Sequence, residues 1–374
     1  MYIRKGRDNG YLVFFVGLTL LTLLSSCGVM RTLKIRCAAP DPPSGLDPDI
    51  IVSARYGDDV IADGDCTPYR TVTAAMKAVK ADEVVWVAPG IYDAERGEKF
   101  PIQLPPGVTL VGDEANKGSG PVPTVIIGSG PAYKNYHATI KGAGGAGGTT
   151  VSGLAIRTGD KKLLRFGIYS ADAGITIRNN NFSDSYGGVT LHGGGDPLVE
   201  GNVFKTSAYG VYTHCLGTAT IRKNDFIEGS YIDNVHGDAI IKENNFSGNS
   251  YRAISVQYGN PLVEGNSFHA SYVHGALSLH YEASPVVRGN RFEVQGGNGV
   301  QIKGQAQPDL GTASDPGGNV FTGTGGTAIV NESGAVVYAV GNRWNSDKPV
   351  CGTDIKIVKS GKVVWGAGAG ESCD

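Results

Sequence analysis

The feature that most constrains this chain is a short motif, Asn-x-Phe, that returns about every 22 residues through its second half. Subtraction of successive motif positions gives spacings of 22, 22, 20, 22, 24, 29 and 23 residues. A period of this length is typical of a solenoid, in which each repeat forms one turn. In the last repeat Trp344 replaces the phenylalanine. The asparagines of the motif are Asn180, Asn202, Asn224, Asn244, Asn266, Asn290, Asn319 and Asn342.

Each repeat is predicted to consist of short β-strands. Glycine, asparagine and alternating β-branched residues fill the repeats, as in Gly188–Leu191 and Pro261–Val263, without helical spacing. Turns stacked at the usual strand separation of about 4.8 Å place the motif phenylalanines in one interior column. The same stacking places the asparagines in a ladder at the bends. The sequence therefore predicts an all-β solenoid in which the repeated asparagines are structural.

Composition agrees with this fold class. The chain has 56 glycines among 374 residues, roughly twice the usual share, and only 18% charged residues. These values argue against helical bundles and coiled coils. A hydrophobic content of 41% is enough to build a core, which argues against global disorder. The formal net charge of −2 gives no sign of electrostatic binding to nucleic acid.

The amino terminus has the pattern of a secretory signal. Basic residues precede an apolar run over Tyr11–Leu24, which is too short to span a membrane comfortably. The tetrad Leu24-Ser25-Ser26-Cys27 resembles the lipobox of bacterial lipoproteins, which implies lipidation of Cys27. Gly28 resembles the pattern for sorting to the outer membrane. We therefore expect an exported protein anchored by lipid at the cell envelope; the alternative is an ordinary cleaved signal followed by a chance cysteine.

We expect five segments along the chain. The lipoprotein signal peptide covers residues 1–26, a Pro-rich tether 27–49, an N-terminal cap 50–100, the β-helix 101–346 and a C-terminal cap 347–374. The N-terminal cap contains a helix, because Val72, Met76 and Val79 recur at helical spacing. The C-terminal cap is predicted as a β-hairpin of Ile355–Val358 and Val363–Trp365, joined by Lys359–Lys362, that covers the open edge of the solenoid.

Export permits disulfides among the other cysteines. Proximity in sequence favours one disulfide between Cys37 and Cys66 and another between Cys351 and Cys373. These disulfides would cross-link the N-terminal and the C-terminal segment, respectively. Cys215 is then predicted to be an inert cysteine in the core.

The Asn-x-Phe coils resemble the pectin-lyase-like superfamily of single-stranded right-handed parallel β-helices, over about Pro101 to Trp344. The preceding stretch, with Gly57-Asp58-Asp59 and Val85–Tyr92, resembles a domain of unknown function at the head of bacterial β-helix proteins. Pectin methylesterases open similarly. The resemblance implies a right-handed parallel β-helix whose first helix is an N-terminal cap.

Tyrosines recur six or seven residues after the ladder asparagines. They predict one stripe along the solenoid, for which two interpretations stay open. The rings are structural filler near a bend, or they form an aromatic platform for the apolar faces of sugar rings. The stripe consists of Tyr186, Tyr209, Tyr231, Tyr251 and Tyr272.

A polar column recurs twelve to fourteen residues after the asparagines. Alternation along its strands predicts that its side chains face outward, with Tyr212 and Asn234 beside them. Three interpretations stay open: an idle polar ladder, a Zn²⁺ or Cu²⁺ site built from imidazoles on adjacent coils, or a trough for an extended polysaccharide. The column consists of His192, His214, His236, Gln257, His280 and Lys303.

Asp233 breaks the pattern, because the equivalent positions of the neighbouring coils are Val189 and Val211. Either it faces a polar cleft with a shifted pKa, or a bulge turns it outward. With His214, His236 and Lys303 it forms the candidate catalytic set. The full signatures of β-helix lyases, esterases and hydrolases are missing from the sequence.

A calcium site is a further possibility near the amino terminus, where Asp58, Asp59, Asp63 and Asp65 cluster, although an Asp/Gly-rich turn accounts for them equally. Taken together, the sequence predicts a cell-envelope lipoprotein that binds extended polysaccharide. The second hypothesis is a polysaccharide lyase or glycoside hydrolase, and the third is a structural or adhesive surface protein.

Overall fold

A computed structural model describes residues 40–63, 67–142, 148–171, 174–248, 251–323, 325–368 and 370–374. The predicted signal segment, the lipidation of Cys27 and the Cys37–Cys66 disulfide lie outside the described residues.

The described residues form a parallel β-solenoid of about 11 turns. In this part of the chain, helical structure is confined to α1 over Val72–Ala78 and a single 3₁₀ turn over Ala94–Arg96. The first strands are β1 Ile50–Val52, β2 Val84–Val87, β3 Gly90–Asp93, β4 Ile102–Leu104, β5 Thr109–Val111, β6 Thr124–Ile127, β7 Gly130–Tyr133, β8 Tyr136–Gly142, β9 Thr150–Ser152, β10 Ala155–Arg157, β11 Arg165–Ala171 and β12 Thr176–Arg178.

The central turns contain β13 Asn181–Ser183, β14 Gly187–Gly193, β15 Leu198–Glu200, β16 Val203–Lys205, β17 Tyr209–Cys215, β18 Thr220–Arg222, β19 Asp225–Ile227, β20 Tyr231–His236, β21 Ile240–Lys242, β22 Asn245–Ser247, β23 Ile254–Val256 and β24 Leu262–Glu264. The last turns contain β25 Ser267–Tyr272, β26 Leu277–Leu279, β27 Val286–Arg288, β28 Arg291–Ile302, β29 Val320–Thr322, β30 Gly326–Asn331, β31 Val336–Tyr338, β32 Ile355–Ile357, β33 Lys362–Val364 and β34 Ser372–Cys373.

Nearly every strand pairs in parallel with its counterpart one turn further along the chain. Ten of the described strands, from β1 to β27, stack into one sheet, and 21 others form a second sheet that holds two strands of most turns. Thus β14 pairs with β17, and β17 with β20. The hairpin of β7 and β8 departs from this rule, because its strands are antiparallel.

The predicted aromatic column and asparagine ladder are both present. The motif rings stack with centroids 4.6–5.2 Å apart, and Trp344 ends the stack. Each ladder asparagine from Asn180 onward donates its Nδ2 to the Oδ1 of the next, at 2.9–3.1 Å. The backbone N–H donates to the same Oδ1 at 2.9–3.0 Å. The ladder thus satisfies polar backbone groups that the bends remove from water.

The helix predicted from Val72, Met76 and Val79 is present as α1 and packs against β1 and β4. The Thr71 side chain caps its amino terminus by accepting a hydrogen bond from the N–H of Ala74. Among the described residues, no helix is both long and apolar enough to cross a membrane.

The predicted C-terminal hairpin is wrong in its pairing. Strands β32 and β33 do not pair with each other: β32 continues the second sheet beside β30, and β33 lies parallel to β31. Pairing with the preceding turn already satisfies the backbone hydrogen-bonding groups of β32 and β33. Only β34 reverses the chain direction, and it pairs antiparallel with β33. The disulfide predicted between Cys351 and Cys373 is confirmed. Cys215 is buried in the core, as predicted.

Candidate functional site

One outward-facing strip of the second sheet gathers most of the predicted site residues; we call it the polar face. Its central row runs across strands β11, β14, β17, β20, β23, β26 and β28, one residue from each. Neighbouring positions in the row are hydrogen-bonded strand partners, so they follow one another at about 4.8 Å. The row consists of Tyr169, Thr190, Tyr212, Asp233, Ser255, Ser278 and Gln301. All of these except Tyr212 are buried, because neighbouring side chains cover them.

Five phenol rings, which we call the tyrosine cluster, cover one end of the polar face. The ring centroid of Tyr209 lies 5.6 Å from that of Tyr186, 5.1 Å from that of Tyr212 and 4.9 Å from that of Tyr231. The fifth ring, that of Tyr136, lies 5.3 Å from His192, which in turn lies 5.9 Å from Tyr212.

Three phenols of the cluster, those of Tyr186, Tyr212 and Tyr231, have raised pKa values. Burial, followed by the neighbouring Tyr209, raises the pKa of Tyr186 to about 12. Burial also raises the pKa of Tyr212 and of Tyr231 above the ordinary value for tyrosine. Their hydroxyls therefore remain hydrogen-bond donors at neutral pH.

The predicted tyrosine stripe is interrupted after Tyr231. The guanidinium carbon of Arg252 lies 5.8 Å from the ring centroid of Tyr231 and 4.8 Å from that of Tyr251, so it separates the two rings. Tyr272 leaves the surface altogether and is fully buried. The strand β25 extends through this position, and Tyr272 turns inward to donate its hydroxyl to the carbonyl of Phe246.

Asp233 is brought to the polar face by two irregularities in β20. One residue is missing opposite Gly210, so that Ile232 takes the core position beside Val211 and Asp233 pairs with Tyr212. One residue, Val235, is then inserted before His236, which restores the register. The bulge and the polar surroundings, which the sequence left as alternatives, are both present.

Asp233 is only 6% exposed, and its carboxyl group accepts hydrogen bonds from neighbouring side chains. The Nε2 of Gln257 lies 3.2 Å from its Oδ1, and the side chain of Ser255 is a second hydrogen-bond partner. Burial nevertheless raises the pKa of Asp233 above its ordinary value, while Gln257, Ser255 and the charge of Arg252 act in the opposite direction. This carboxyl group is thus poised to hold or release a proton.

Asn234 was predicted on the ligand-binding surface, and the structure corrects this. Asn234 is fully buried and lies in the same row as Leu191 and Val256, which line the core. The missing residue in β20 inverts the alternation of inward and outward side chains at this point. Its Nδ2 donates to the carbonyl of Gly237 at 3.1 Å, across the inserted residue. Asn234 therefore supports the bulge from within and is out of reach of a ligand.

The predicted histidine column divides into two rows. The rings of His192 and His214 are 5.9 Å apart, and those of His214 and His236 are 4.6 Å apart. The next ring in this row belongs to Tyr258, stacked 4.9 Å from His236. The residue inserted in β20 shifts the register, so Gln257 lies instead beside Asp233.

His280 and Lys303 continue the row of Gln257. The backbone N–H of His280 bonds to the strand of Gln257, and that of Lys303 bonds to the strand of His280. Lys303 is three turns from Asp233, or about 14 Å along the solenoid. The predicted catalytic set is therefore not a single cluster: His214 and His236 lie in the row next to that of Asp233, and Lys303 lies apart.

Two half-buried histidines of the polar face, His192 and His280, have lowered pKa values and are neutral at pH 7. Burial, followed by His214, lowers the pKa of His192. Burial, followed by Arg252 and Lys303, lowers the pKa of His280 to about 4. The Nε2 atoms of these rings lie 3.1 Å from the hydroxyl of Thr190 and 2.9 Å from that of Ser278, respectively. They offer hydrogen bonds rather than positive charge.

The geometry gives no support to a metal centre. Within the described ranges, no group of three or more His, Cys, Asp or Glu side chains is placed to hold a metal ion. At the amino terminus, Asp59 accepts hydrogen bonds from the backbone of Arg70 and Thr71, as an aspartate in a turn does. Asp58 and Asp63 likewise accept from nearby backbone N–H groups, whereas Asp65 lies outside the described residues.

The sequence matches the family described as "Protein of unknown function (DUF1565)" over residues 56–351. This chain belongs to the DUF1565 family. The match extends from the first turns through the whole repeat, well beyond the head segment for which the sequence suggested such a domain. Among curated proteins, none matches this DUF1565 sequence.

Solved structures resemble this DUF1565 protein in fold alone. The mannuronan C-5 epimerase AlgE6 A-module of Azotobacter vinelandii is 15% identical, with a TM-score of 0.43 over 79% of this chain and 93% of that one. The surface adhesin PfbA of Streptococcus pneumoniae is 12% identical, with a TM-score of 0.42 over 83% of each chain. The catalytic unit of the GH87 α-1,3-glucanase of Streptomyces thermodiastaticus is 16% identical, with a TM-score of 0.45 over 88% and 70%.

Four residues of the DUF1565 polar face escaped sequence reasoning, and one of them, Tyr169 on β11, precedes the first repeated asparagine. Tyr136 comes from the β7–β8 hairpin, which precedes the repeat and has no periodic signal. Arg252 and Tyr258 directly follow Tyr251 and Gln257, which the sequence analysis predicted as site residues. Allowing for a one-residue shift in strand register would have identified both. The complete face thus offers aromatic rings, neutral donors and acceptors, and one carboxyl group with a raised pKa.

Proposed function

We propose that the polar face of this DUF1565 protein binds an extended glycan. The observation that carries the proposal is the tyrosine cluster, whose half-buried rings lie beside half-buried imidazole and amide groups on successive turns. These groups belong to His192, His214, His236 and Gln257. Sugars present apolar ring faces and polar edges, and aromatic rings beside hydrogen-bonding groups match both. A site that repeats at each turn suits a ligand that is itself a linear polymer.

Turnover of that glycan is the second candidate, favoured by Asp233. A carboxyl group with a raised pKa beside phenol and imidazole groups has the properties of a general acid or base. His214 and His236 lie in the adjacent row and are the candidate partners in this chemistry. A purely structural or adhesive role remains the third reading, and it needs no ligand on the polar face.

A binding and cleavage assay tests these alternatives. The full chain is incubated with a panel of neutral and acidic polysaccharides, and both retained glycan and new chain ends are measured. We expect retention that falls at least about tenfold in Tyr212→Ala, because truncating a central ring removes packing worth more than 1.4 kcal/mol. Tyr338→Ala is the matched control, since Tyr338 is an exposed ring on β31, outside the polar face.

The three readings give different results. New chain ends that disappear in Asp233→Asn indicate an enzyme, whereas retention without new ends indicates a binding protein. Absence of both from every polysaccharide contradicts the proposal and favours a structural role.

We also propose that the protein is exported and anchored by lipid on Cys27 at the cell envelope, at the outer membrane where the cell has one. The support is the apolar run that ends at the Leu-Ser-Ser-Cys tetrad. Cys27→Ser should move the protein from the detergent phase to the aqueous phase of an extract. Unchanged partitioning would contradict the lipid anchor.

A further inference from the structure

The β7–β8 hairpin covers the polar face at the end that begins with β11. Tyr169 starts the central row there and points outward, as its row partners Thr190 and Tyr212 do, yet only 2% of it is exposed. The ring of Tyr133 stacks on that of Tyr169 at 5.9 Å, and the ring of Tyr136 lies 6.1 Å from it. Both covering rings belong to the hairpin. The hairpin therefore adds a layer above the row at this end.

Tyr136 crosses the width of the polar face. Its ring lies 5.8 Å from that of Phe166, near the beginning of β11, and 5.3 Å from that of His192, near the end of β14. Strands β8 and β14 are two turns apart, or about 10 Å along the solenoid, so the side chain leans over β11 to reach His192. We call Tyr133 and Tyr136 the barrier, because together they stand across the row.

Local packing fixes the barrier in place. Ala132 on β7 and Ala138 on β8 are buried with Tyr169 in a small apolar cluster of their own, outside the main core. At the start of β7, a side chain on Gly130 would collide with the backbone of Phe100, so the absence of a Cβ lets the hairpin lie directly against the preceding turn. The barrier is therefore an integral part of the fold.

The opposite end of the polar face is open. There the central row passes from Gln301 to Val330 on β30 and then to Lys356 on β32, which is exposed. Tyr281, which stacks on Tyr258 at 5.1 Å, is 55% exposed. A linear polymer on the polar face is thus free to leave at this end, whereas at the other end it meets the barrier.

We propose that the polar face binds the end of a glycan chain, with the terminal sugar against the barrier and the rest of the chain running toward β28. The inference rests on the proposed glycan binding and specifies which part of the polymer is recognised. From β14 to β28 the face spans five strand spacings, or about 24 Å, which accommodates a short run of linked sugars. The interior of a long chain is excluded, because it would have to pass through the ring of Tyr136.

The number of proteins bound per glycan chain tests the proposal on the full-length protein. The probes are the linear polymers polygalacturonate, alginate and pullulan, each in fractions of about 10 and about 100 sugar units. A linear chain has one end of each kind but many interior segments, so end recognition saturates at one protein per chain at both lengths. Interior recognition would place at least about fivefold more protein on the longer chain. We expect one protein per chain on both fractions of any polymer that binds.

Two double variants test the barrier itself. Tyr133→Ala/Tyr136→Ala removes both rings and should admit interior segments, so that at least about threefold more protein binds per long chain. Tyr133→Phe/Tyr136→Phe keeps both rings and is the matched control, which should stay at one protein per chain. Melting temperatures of both variants check that they are folded.

The outcomes separate this inference from the proposal beneath it. Protein per chain that rises with chain length in the unsubstituted protein overturns end recognition and leaves glycan binding intact. A value of one that persists in Tyr133→Ala/Tyr136→Ala, or a loss of all binding in that variant alone, overturns the assignment of the two rings as a barrier. Failure of every polymer to bind the unsubstituted protein overturns both end recognition and the proposed function.

Discussion

Removal of one asparagine from the ladder should destabilise the solenoid strongly, and Asn244 offers a test with a built-in control. Its neighbour Asn245 is the same residue type in the same turn, but it lies outside the ladder. Asn244 is fully enclosed, whereas Asn245 is half-buried and makes one long bond, of 3.4 Å, to Asp225. Asn244→Ala and Asn245→Ala therefore delete the same atoms in two different environments.

The cost follows from the hydrogen bonds of Asn244. Its Nδ2 donates to the carbonyl of Ile221 at 2.9 Å and to the Oδ1 of Asn266 at 3.0 Å. Its Oδ1 accepts from the backbone N–H and the Nδ2 of Asn224, both at 3.0 Å. Alanine leaves the backbone N–H of Asn224 with no acceptor among the described residues and takes one donor from Ile221. Two such buried groups, at about 1–3 kcal/mol each, predict a loss of about 2–5 kcal/mol.

Urea unfolding of both variants, followed by intrinsic fluorescence, measures this loss. Because turns of a solenoid can open locally, hydrogen exchange at the amide of Asn224 should be measured as well. We expect Asn245→Ala to change the free energy of unfolding by less than about 0.5 kcal/mol. Glycan retention should be unchanged in both variants, because the ladder does not reach the polar face. Equal unfolding free energies for the two variants would refute the assignment of the ladder as structural.

Two further predictions concern a titrating group and the aromatic column. Burial raises the pKa of Asp233 above its unfolded value, so its stabilising contribution is complete below the unfolded pKa and is lost as pH rises through the folded pKa. The melting temperature of Asp233→Asn relative to the unsubstituted protein should therefore rise as the pH is raised from about 4, near the unfolded pKa of aspartate; a difference that is independent of pH would contradict this. Phe246→Ala should cost about 3–5 kcal/mol, because Phe246 is fully buried between rings 4.6 and 5.2 Å away, whereas Tyr338→Ala should cost less than about 0.5 kcal/mol in the same urea titration. Similar losses of unfolding free energy in Phe246→Ala and Tyr338→Ala would contradict a stabilising role of the aromatic column.

Much of the fold was readable from the sequence because a solenoid repeats one local solution. The Asn-x-Phe period predicted the ladder and the stacked rings, since any turn of that length must place equivalent residues above one another. The helical spacing of apolar residues predicted α1, and proximity in sequence predicted the Cys351–Cys373 disulfide; both are confirmed. The C-terminal hairpin failed because the sequence does not show whether a strand pairs with its neighbour in the chain or with the preceding turn.

The candidate site was only partly readable, because it depends on departures from the repeat. Counting from Asn224 placed Asp233 in the core row and Asn234 on the surface, and the structure exchanges them. A one-residue deletion and a one-residue insertion in β20 produce this exchange, and each inverts the side-chain alternation. Tyr136 was missed because its hairpin lies outside the periodic segment.

The sequence by itself therefore determined the solenoid, its ladder and its aromatic column, because these follow from periodicity and from the pairing needs of buried polar groups. Only the tertiary structure decided which polar side chains face outward together. That outcome depends on strand register between turns, which a single misplaced residue reverses and which no local pattern in the chain records.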